Sequence, residues 1–284
     1  MSPRPAPPTP AFLMCRPTYY RIAYEINPWM RIRRPVAQER ARRQWSALYA
    51  LLTRTLKVPV ALLPATPGVP DLVFTANAGL ATERLFIRSN FRFAERQKEE
   101  PIIDRYVRNV LGLRLIRLPR RHSFEGEGDA LWMGRTLLYG FRFRSDARVH
   151  ERLSRLLGVR VLPVELADRR FYHLDTCFAP LDARTALWYP GAFDRYGRRV
   201  IERMAEDAIA VPERDAARFV CNTIAAGREL IVPAGASRGV LAALERRRFG
   251  VHEAELSEFM KAGGSAKCLV LRLPPRAAES DDTD

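Results

Sequence analysis

The sequence predicts an α/β fold of five strand-and-helix units set in a ring. Three observations point there. Short apolar segments at 72–80, 129–132, 175–181, 221–224 and 268–271 recur about every 45 to 55 residues. Most are followed by a polar turn and a second apolar run, the pattern of a hairpin. Gly134-Arg135-Thr136 precedes Leu137-Leu138-Tyr139, and Asp182-Ala183-Arg184-Thr185 precedes Ala186-Leu187-Trp188-Tyr189. Between the hairpins, residues 37–56, 95–111, 147–157, 195–210 and 240–249 carry apolar side chains at helical spacing. The alternative is an ordinary open α/β sheet, in which the period is a coincidence; the ring is preferred, but not on the repeat alone. In a ring the starts of five inner strands meet. Asn77, Asp129, His173 and Cys268 then share one rim despite their separation in sequence.

The ends read differently. Residues 1–11 are Pro-rich and residues 274–284 are acidic, so both are expected to be disordered, around a single domain at 12–273. The chain has 284 residues, 47% of them hydrophobic, enough for a sizeable core. No apolar stretch reaches the roughly 18 residues of a membrane span. The first residues lack the apolar core of a secretion signal. Four cysteines, Cys15, Cys177, Cys221 and Cys268, lie far apart with no CxxC pair. They suggest neither a disulfide framework nor a zinc site, and a reducing cytoplasm is the expected compartment. The formal net charge of +15 could suit a nucleic acid. It comes mostly from arginines scattered among acids, without a recognised nucleic-acid motif, so a solvated surface is the expectation and nucleic acid is not an expected partner.

The chemistry concentrates in three places. Cys268 ends the flexible run Lys261-Ala262-Gly263-Gly264-Ser265-Ala266-Lys267 just before an apolar strand. Phe124-Glu125-Gly126-Glu127-Gly128-Asp129 and Tyr172-His173-Leu174-Asp175-Thr176 are unusually polar for core strands. A thiol, an imidazole and several carboxylates can attack an electron-poor carbon bearing nitrogen leaving groups. In an extended strand Asp175 would face the same side as His173. His122, His150 and His252 are read as structural, and Cys177 and Cys221 as inert core.

Taken in order, several landmarks resemble the pentein superfamily of guanidino-group-modifying enzymes. They are Met14-Cys15-Arg16-Pro17, Glu25-Ile26-Asn27-Pro28-Trp29-Met30, Pro70-Asp71-Leu72-Val73-Phe74-Thr75-Ala76-Asn77, Glu95-Arg96-Gln97-Lys98-Glu99, Phe124-Glu125-Gly126, Arg144-Ser145-Asp146, Tyr172-His173-Leu174-Asp175, and Gly263-Gly264 through Cys268. The resemblance spans about residues 12–273. It implies a five-bladed α/β propeller, which agrees with the repeat. Two departures stand out: Asn77 replaces a carboxylate common in the family, and an extra residue lengthens the Glu-Gly-Gly-Asp element. Both look like the arginine dihydrolase and citrulline ureidase branch.

The resemblance implies Cys268 as nucleophile, His173 as general acid and base, and Glu125 as the carboxylate that orients it. Glu127 competes for that last role. Glu125 is preferred because it follows Phe124 as in the family motif. Asp175 and Asn77 would hold guanidino or ureido nitrogens. Asn77 offers a donor and an acceptor without charge, which suits a neutral ureido group as well as a cation. Arg96 and Arg144 would receive an α-carboxylate through paired hydrogen bonds, and Asn27 the α-amino end. Asp129 would brace the site. The expected activity is cysteine-dependent hydrolysis of the C–N bonds of arginine or citrulline, with no metal or organic cofactor and a small molecule as partner. The alternatives are dimethylarginine hydrolysis, amidino transfer, or a non-catalytic ribosome-associated factor.

Overall fold

The computed structural model describes residues 11–273. The terminal segments expected to be disordered lie outside that range, except Ala11, which opens the first strand.

Among the described residues, fifteen strands form five three-stranded sheets of one design. An inner strand pairs antiparallel with a middle strand, which runs on through a helix to a parallel outer strand. The inner, middle and outer strands are β3 (Gly79–Ala81), β4 (Leu85–Arg88) and β5 (Arg114–Arg117) in one sheet. The next has β6 (Ala130–Met133), β7 (Thr136–Phe141) and β8 (Arg160–Glu165). Then come β9 (Phe178–Pro180), β10 (Thr185–Trp188) and β11 (Asp207–Ala210). The fourth has β12 (Ile224–Ala226), β13 (Glu229–Pro233) and β14 (Gly250–Ala254). The remaining sheet joins the two ends of the described chain. Its middle strand is β1 (Ala11–Cys15), its outer strand β2 (Val60–Leu63), and its inner strand is β15 (Leu271–Leu273).

The crossover helices are α1 (Gln38–Ala50), α2 (Glu100–Tyr106), α3 (Val149–Leu157), α4 (Arg195–Met204) and α5 (Arg238–Arg246). A parallel pair needs such a connection, because its strands cannot be joined by a tight turn. Of the helical expectations, 37–56 holds to residue 55 and 195–210 runs long. Residues 51–55 continue α1 as a π-helical turn. The stretch 195–210 is split, its helix ending at Met204 and its last four residues forming β11. Periodicity alone could not see that break, because β11 exists through its register with β10.

The core is shared between neighbouring sheets. Leu13 and Leu271 pack with Phe86 and Ile103. Leu80 and Ile87 pack with Leu137 and Val161. Leu138 and Val164 join Phe178, Leu187 and Leu230. Ile224 and Ile231 join Phe12, Trp45 and Val270. Each large side chain so buried contributes about 1.5–3 kcal/mol relative to exposure, and every cluster draws on more than one sheet. No helix among the described residues is long and apolar enough to cross a membrane.

Candidate active site

Each inner strand is preceded by a tight turn, and those turns carry the polar chemistry. Residues Thr75–Ala78, Gly126–Gly128, Leu174–Thr176 and Lys267–Leu269 are single 3-10 turns. A bend at Asn222 takes the same place before β12. The segments 72–78 and 172–176 are therefore turns and not the strands the sequence reading expects. Pro70 starts one 3-10 turn. In the other, the Thr176 amide and hydroxyl both close back on the His173 carbonyl. Strand alternation does not align His173 with Asp175; this turn sets His173 against Glu125 and Asp175 against Cys268.

Close approach fixes one glycine here. A Cβ at Gly128 would lie 2.3 Å from Asn77 Nδ2 and 3.2 Å from the His173 ring. Gly263, with φ +84°, sits in the left-handed region that glycine tolerates best.

Cys268 is buried, and its Sγ donates to Asp175 Oδ2 at 3.2 Å. Burial pushes the thiol well above its usual range, and the Asp175 charge adds to this, while a Ser265 backbone bond and Asn222 oppose it. The resting group is a neutral thiol. Burial also lifts Asp175 to about 7, against the pull of Lys267 and of hydrogen bonds from Cys268 and Asn222. Asp175 Oδ1 is buried without a partner.

A charge chain ends at Arg144, which lines the same cavity as the thiol. His173 Nε2 lies 2.8 Å from Glu125 Oε2, and Arg144 donates to the same oxygen at 2.9 Å. A carboxylate only accepts, so Nε2 carries the proton and Nδ1 is the free lone pair. Burial lowers His173 to about 4, although Glu125 opposes it, so the ring is neutral near pH 7. Burial alone would raise Glu125, but Arg144 and His173 together hold it well below the carboxylate range. Ser145 accepts from the Glu125 amide at 3.0 Å and donates to Asp129 Oδ2 at 2.6 Å. Asp129 Oδ1 accepts from the Leu174 amide at 3.1 Å. Asp129 thus ties the Glu125 turn to the His173 turn. Glu127 points elsewhere: it accepts from Lys267 Nζ at 2.8 Å and from the Arg272 amide at 2.9 Å.

A narrow cavity opens onto Cys268 and is lined by Asn27, Asp71, Asn77, Arg96, Arg144 and Tyr172, among others. Arg96 is fully engaged with Glu99 and donates to Asn77 Oδ1 at 2.7 Å. That leaves Asn77 Nδ2 with only a long 3.4 Å contact to the Glu125 carbonyl. Arg144 also borders a wider vestibule of about 340 Å³ that includes Glu25, Arg31 and Arg169. The Asn27 amide is taken up internally, donating to the Ala262 carbonyl and accepting from Trp29 and Met30. A groove of about 630 Å³ around Trp132 and Leu273 is lined by no thiol or imidazole.

Four neighbours escaped the sequence reading. Asp71 is buried, accepts from Tyr24 at 3.0 Å, and leaves Oδ1 unpartnered. Tyr172 donates to the Gly263 carbonyl at 2.9 Å, pinning the loop before Cys268. Asn222 and Ser265 contact the thiol turn. Asn222 had a signal, since its segment belongs to the repeat. Of the remaining histidines, His122 pairs with Asp146, His150 with the Ala147 carbonyl and His252 with Glu229. The thiols of Cys15, Cys177 and Cys221 are buried as well, and burial raises each of them. What separates Cys268 is its neighbours. No group of side chains among the described residues could hold a metal ion.

A family model described as N,N dimethylarginine dimethylhydrolase, eukaryotic, matches residues 23–274. The bifunctional arginine dihydrolase/ornithine cyclodeaminase AgrE of Nostoc is 44% identical over 92% of this chain, which spans 37% of that relative's length. An N(G),N(G)-dimethylarginine dimethylaminohydrolase of Mycobacterium tuberculosis is 37% identical, covering 96% of this chain and 88% of its own. The solved N-terminal domain of ArgZ, a cyanobacterial arginine dihydrolase, superposes with a TM-score of 0.88 at 41% identity. The match covers 93% of this chain and 99% of that domain, there a cysteine-to-serine variant bound to substrate. The same domain has also been captured covalently bound to a reaction intermediate.

Proposed function

The chain belongs to the dimethylarginine dimethylaminohydrolase family, and from that premise we propose that it is a cysteine-dependent hydrolase of arginine or citrulline. The observation that carries the proposal is the Cys268 thiol hydrogen-bonded to Asp175 at the floor of a cavity rimmed by Asn77, Arg96 and Arg144. Residues 12–273 act as one catalytic domain. Its five sheets form the blades of an α/β propeller, supported by core clusters that each span neighbouring sheets. The free, buried cysteines fit a cytoplasmic protein.

In the first step the thiol proton passes to His173 Nδ1 and the sulfur pair bonds the central guanidino carbon. His173 hands that proton to the leaving nitrogen, and ammonia departs from a thiouronium joined to Cys268. Water, deprotonated by His173, then adds to the same carbon. The C–S bond breaks, citrulline forms, and the thiol regains a proton. A second cycle on citrulline releases another ammonia and leaves a carbamate, which breaks down to ornithine and carbon dioxide.

Each binding role follows from an unfilled valence. Asp175 Oδ1 has no partner and is free for a substrate nitrogen. Asn77 lines the cavity and gives its oxygen to Arg96, which leaves Nδ2, held only by a long contact to the Glu125 carbonyl, as the donor matched to a ureido oxygen. Arg144 receives the α-carboxylate, while Arg96 is held by Glu99, Asn77 and the Asp71 carbonyl. The internal bonds of Asn27 shift the α-ammonium to Asp71, whose buried Oδ1 needs a donor. Glu125 keeps the His173 ring oriented.

Dimethylarginine hydrolysis remains the second reading, favoured by the similarity to the mycobacterial enzyme over nearly its whole length. Product analysis separates them. Arginine, citrulline and dimethylarginine are offered singly and the products identified by mass spectrometry. Ornithine from arginine or citrulline is the expected result. Citrulline and dimethylamine, formed from dimethylarginine alone, would replace the proposal with the second reading. The Asn77→Asp variant should lose ornithine formation from citrulline by about tenfold or more, one lost hydrogen bond to a polar group plus a new charge.

A further inference from the structure

Asn222 lies before β12 as Asn77 lies before β3, each two residues ahead of its strand. It is fully buried, with 0% exposure. Its Oδ1 accepts from the backbone amides of Ser265 and Cys268, both at 3.1 Å. Its Nδ2 donates to Cys268 Sγ at 3.1 Å and to the Asp175 carbonyl at 2.8 Å. Its own carbonyl accepts from the Lys267 amide at 3.0 Å. Two amides require an oxygen facing them, so the orientation of the side chain is fixed and an N–H points at the sulfur.

We propose that Asn222 is a catalytic residue that holds the Cys268 thiolate, and that it matters more for a neutral ureido substrate than for a cationic guanidino one. This rests on the hydrolase reading above. When the thiol proton leaves for His173, negative charge develops beside the Asp175 carboxylate. The titratable groups around the sulfur are Asp175 itself, with Lys267 and Glu127 acting on it, and the neutral Tyr172 phenol nearby. Lys267 is committed to Glu127. A guanidinium brings a positive charge of its own against the sulfur. A ureido group brings none, so N–H donors from the protein supply a larger share of the stabilisation. Asn222 neither gains nor loses a proton in the step.

The test uses the full chain and two variants. Asn222→Asp keeps an oxygen for the Ser265 and Cys268 amides and replaces the donor to sulfur by an acceptor. Asn222→Ser is uncharged and serves if the first variant fails to fold by circular dichroism. Two quantities are read: alkylation of Cys268 by iodoacetamide against pH, resolved by peptide mass spectrometry, and turnover of saturating arginine and citrulline. The expected result is a rise of about one unit or more in the alkylation midpoint. Citrulline turnover should fall at least about tenfold further than arginine turnover, with the arginine KM changed by less than about threefold. An unchanged midpoint with equal losses on both substrates would make Asn222 a purely structural residue. Wild-type protein inert toward both amino acids would sink the hydrolase reading and with it the substrate preference. Alkylation needs no substrate, so it would still decide whether Asn222 holds the thiolate.

Discussion

Replacing Cys268 by serine is expected to lower turnover by about 10⁴-fold or more while leaving the fold intact. Serine fills nearly the same volume and can still donate to Asp175, so the thermal midpoint should move by only a few degrees. What is lost is nucleophilicity. The thiol, although raised by burial and by Asp175, can be ionised in the substrate complex, whereas an alcohol has no comparable anion at neutral pH. Ammonia release with arginine, followed beside a melting curve, checks both halves. Turnover near the wild-type rate would remove Cys268 from the chemistry.

The second large effect is expected at Glu125. Its carboxylate serves His173 Nε2 and Arg144 through one oxygen, with no water-exposed surface. Glu125→Gln removes the anion from a buried cation and turns a pure acceptor into a mixed group, which cannot serve both donors as well. Turnover should fall by about 10²–10⁴-fold, and stability by about 3–5 kcal/mol, the usual cost of leaving a buried charge unpaired. The acid side of the stability profile carries a signature. Glu125 has a depressed folded-state pKa, so its contribution is present above the ordinary carboxylate range and is lost as pH falls through the folded value. His173, lowered to about 4, works in the same direction. The unfolded chain takes up its proton below about 6.5 and the folded one does not, so stability falls as pH drops from there toward 4. The variant should lose the Glu125 part of this profile. Glu127→Gln is the control. It disturbs the bond to Lys267 but touches neither His173 nor Arg144, so kcat should change by less than about fivefold. Urea melts at several pH values with ammonia assays on both variants decide the matter. A larger loss of turnover at Glu127 would reverse the assignment.

Much of this arrangement was legible because the fold repeats. One period of apolar segments and turns placed Asn77, Asp129, His173 and Cys268 on one rim; in the structure Asn77 and Cys268 line one cavity, Cys268 is bonded to Asp175, and His173 to Glu125. Less legible was anything that depends on a contact rather than a pattern. The turn conformations at 75–78 and 174–176 rest on backbone bonds across three residues, which apolar character does not encode. The choice between Glu125 and Glu127 came from motif order alone, and only coordinates show one facing His173 and the other Lys267. Asn27, expected at the α-amino end, lines the cavity, while the bonds of its amide oxygen within its own turn could not be read from the sequence. Asn222 and Asp71 sat inside segments already singled out, yet a buried asparagine or aspartate gives no sign of its role until its partners are seen. The end of α4 was lost for a similar reason, since β11 is made by its neighbour β10 and not by its own sequence.

The central claim is that Cys268 carries a covalent intermediate, and acid-quenched mass spectrometry reads it directly. Protein mixed with excess arginine and quenched within the first turnover should carry an adduct of arginine less one ammonia, mapped to the peptide containing Cys268 and missing in Cys268→Ser. Ammonia formed at the same rate with no adduct at any quench time under conditions that slow hydrolysis, or an adduct on another cysteine, would contradict the account.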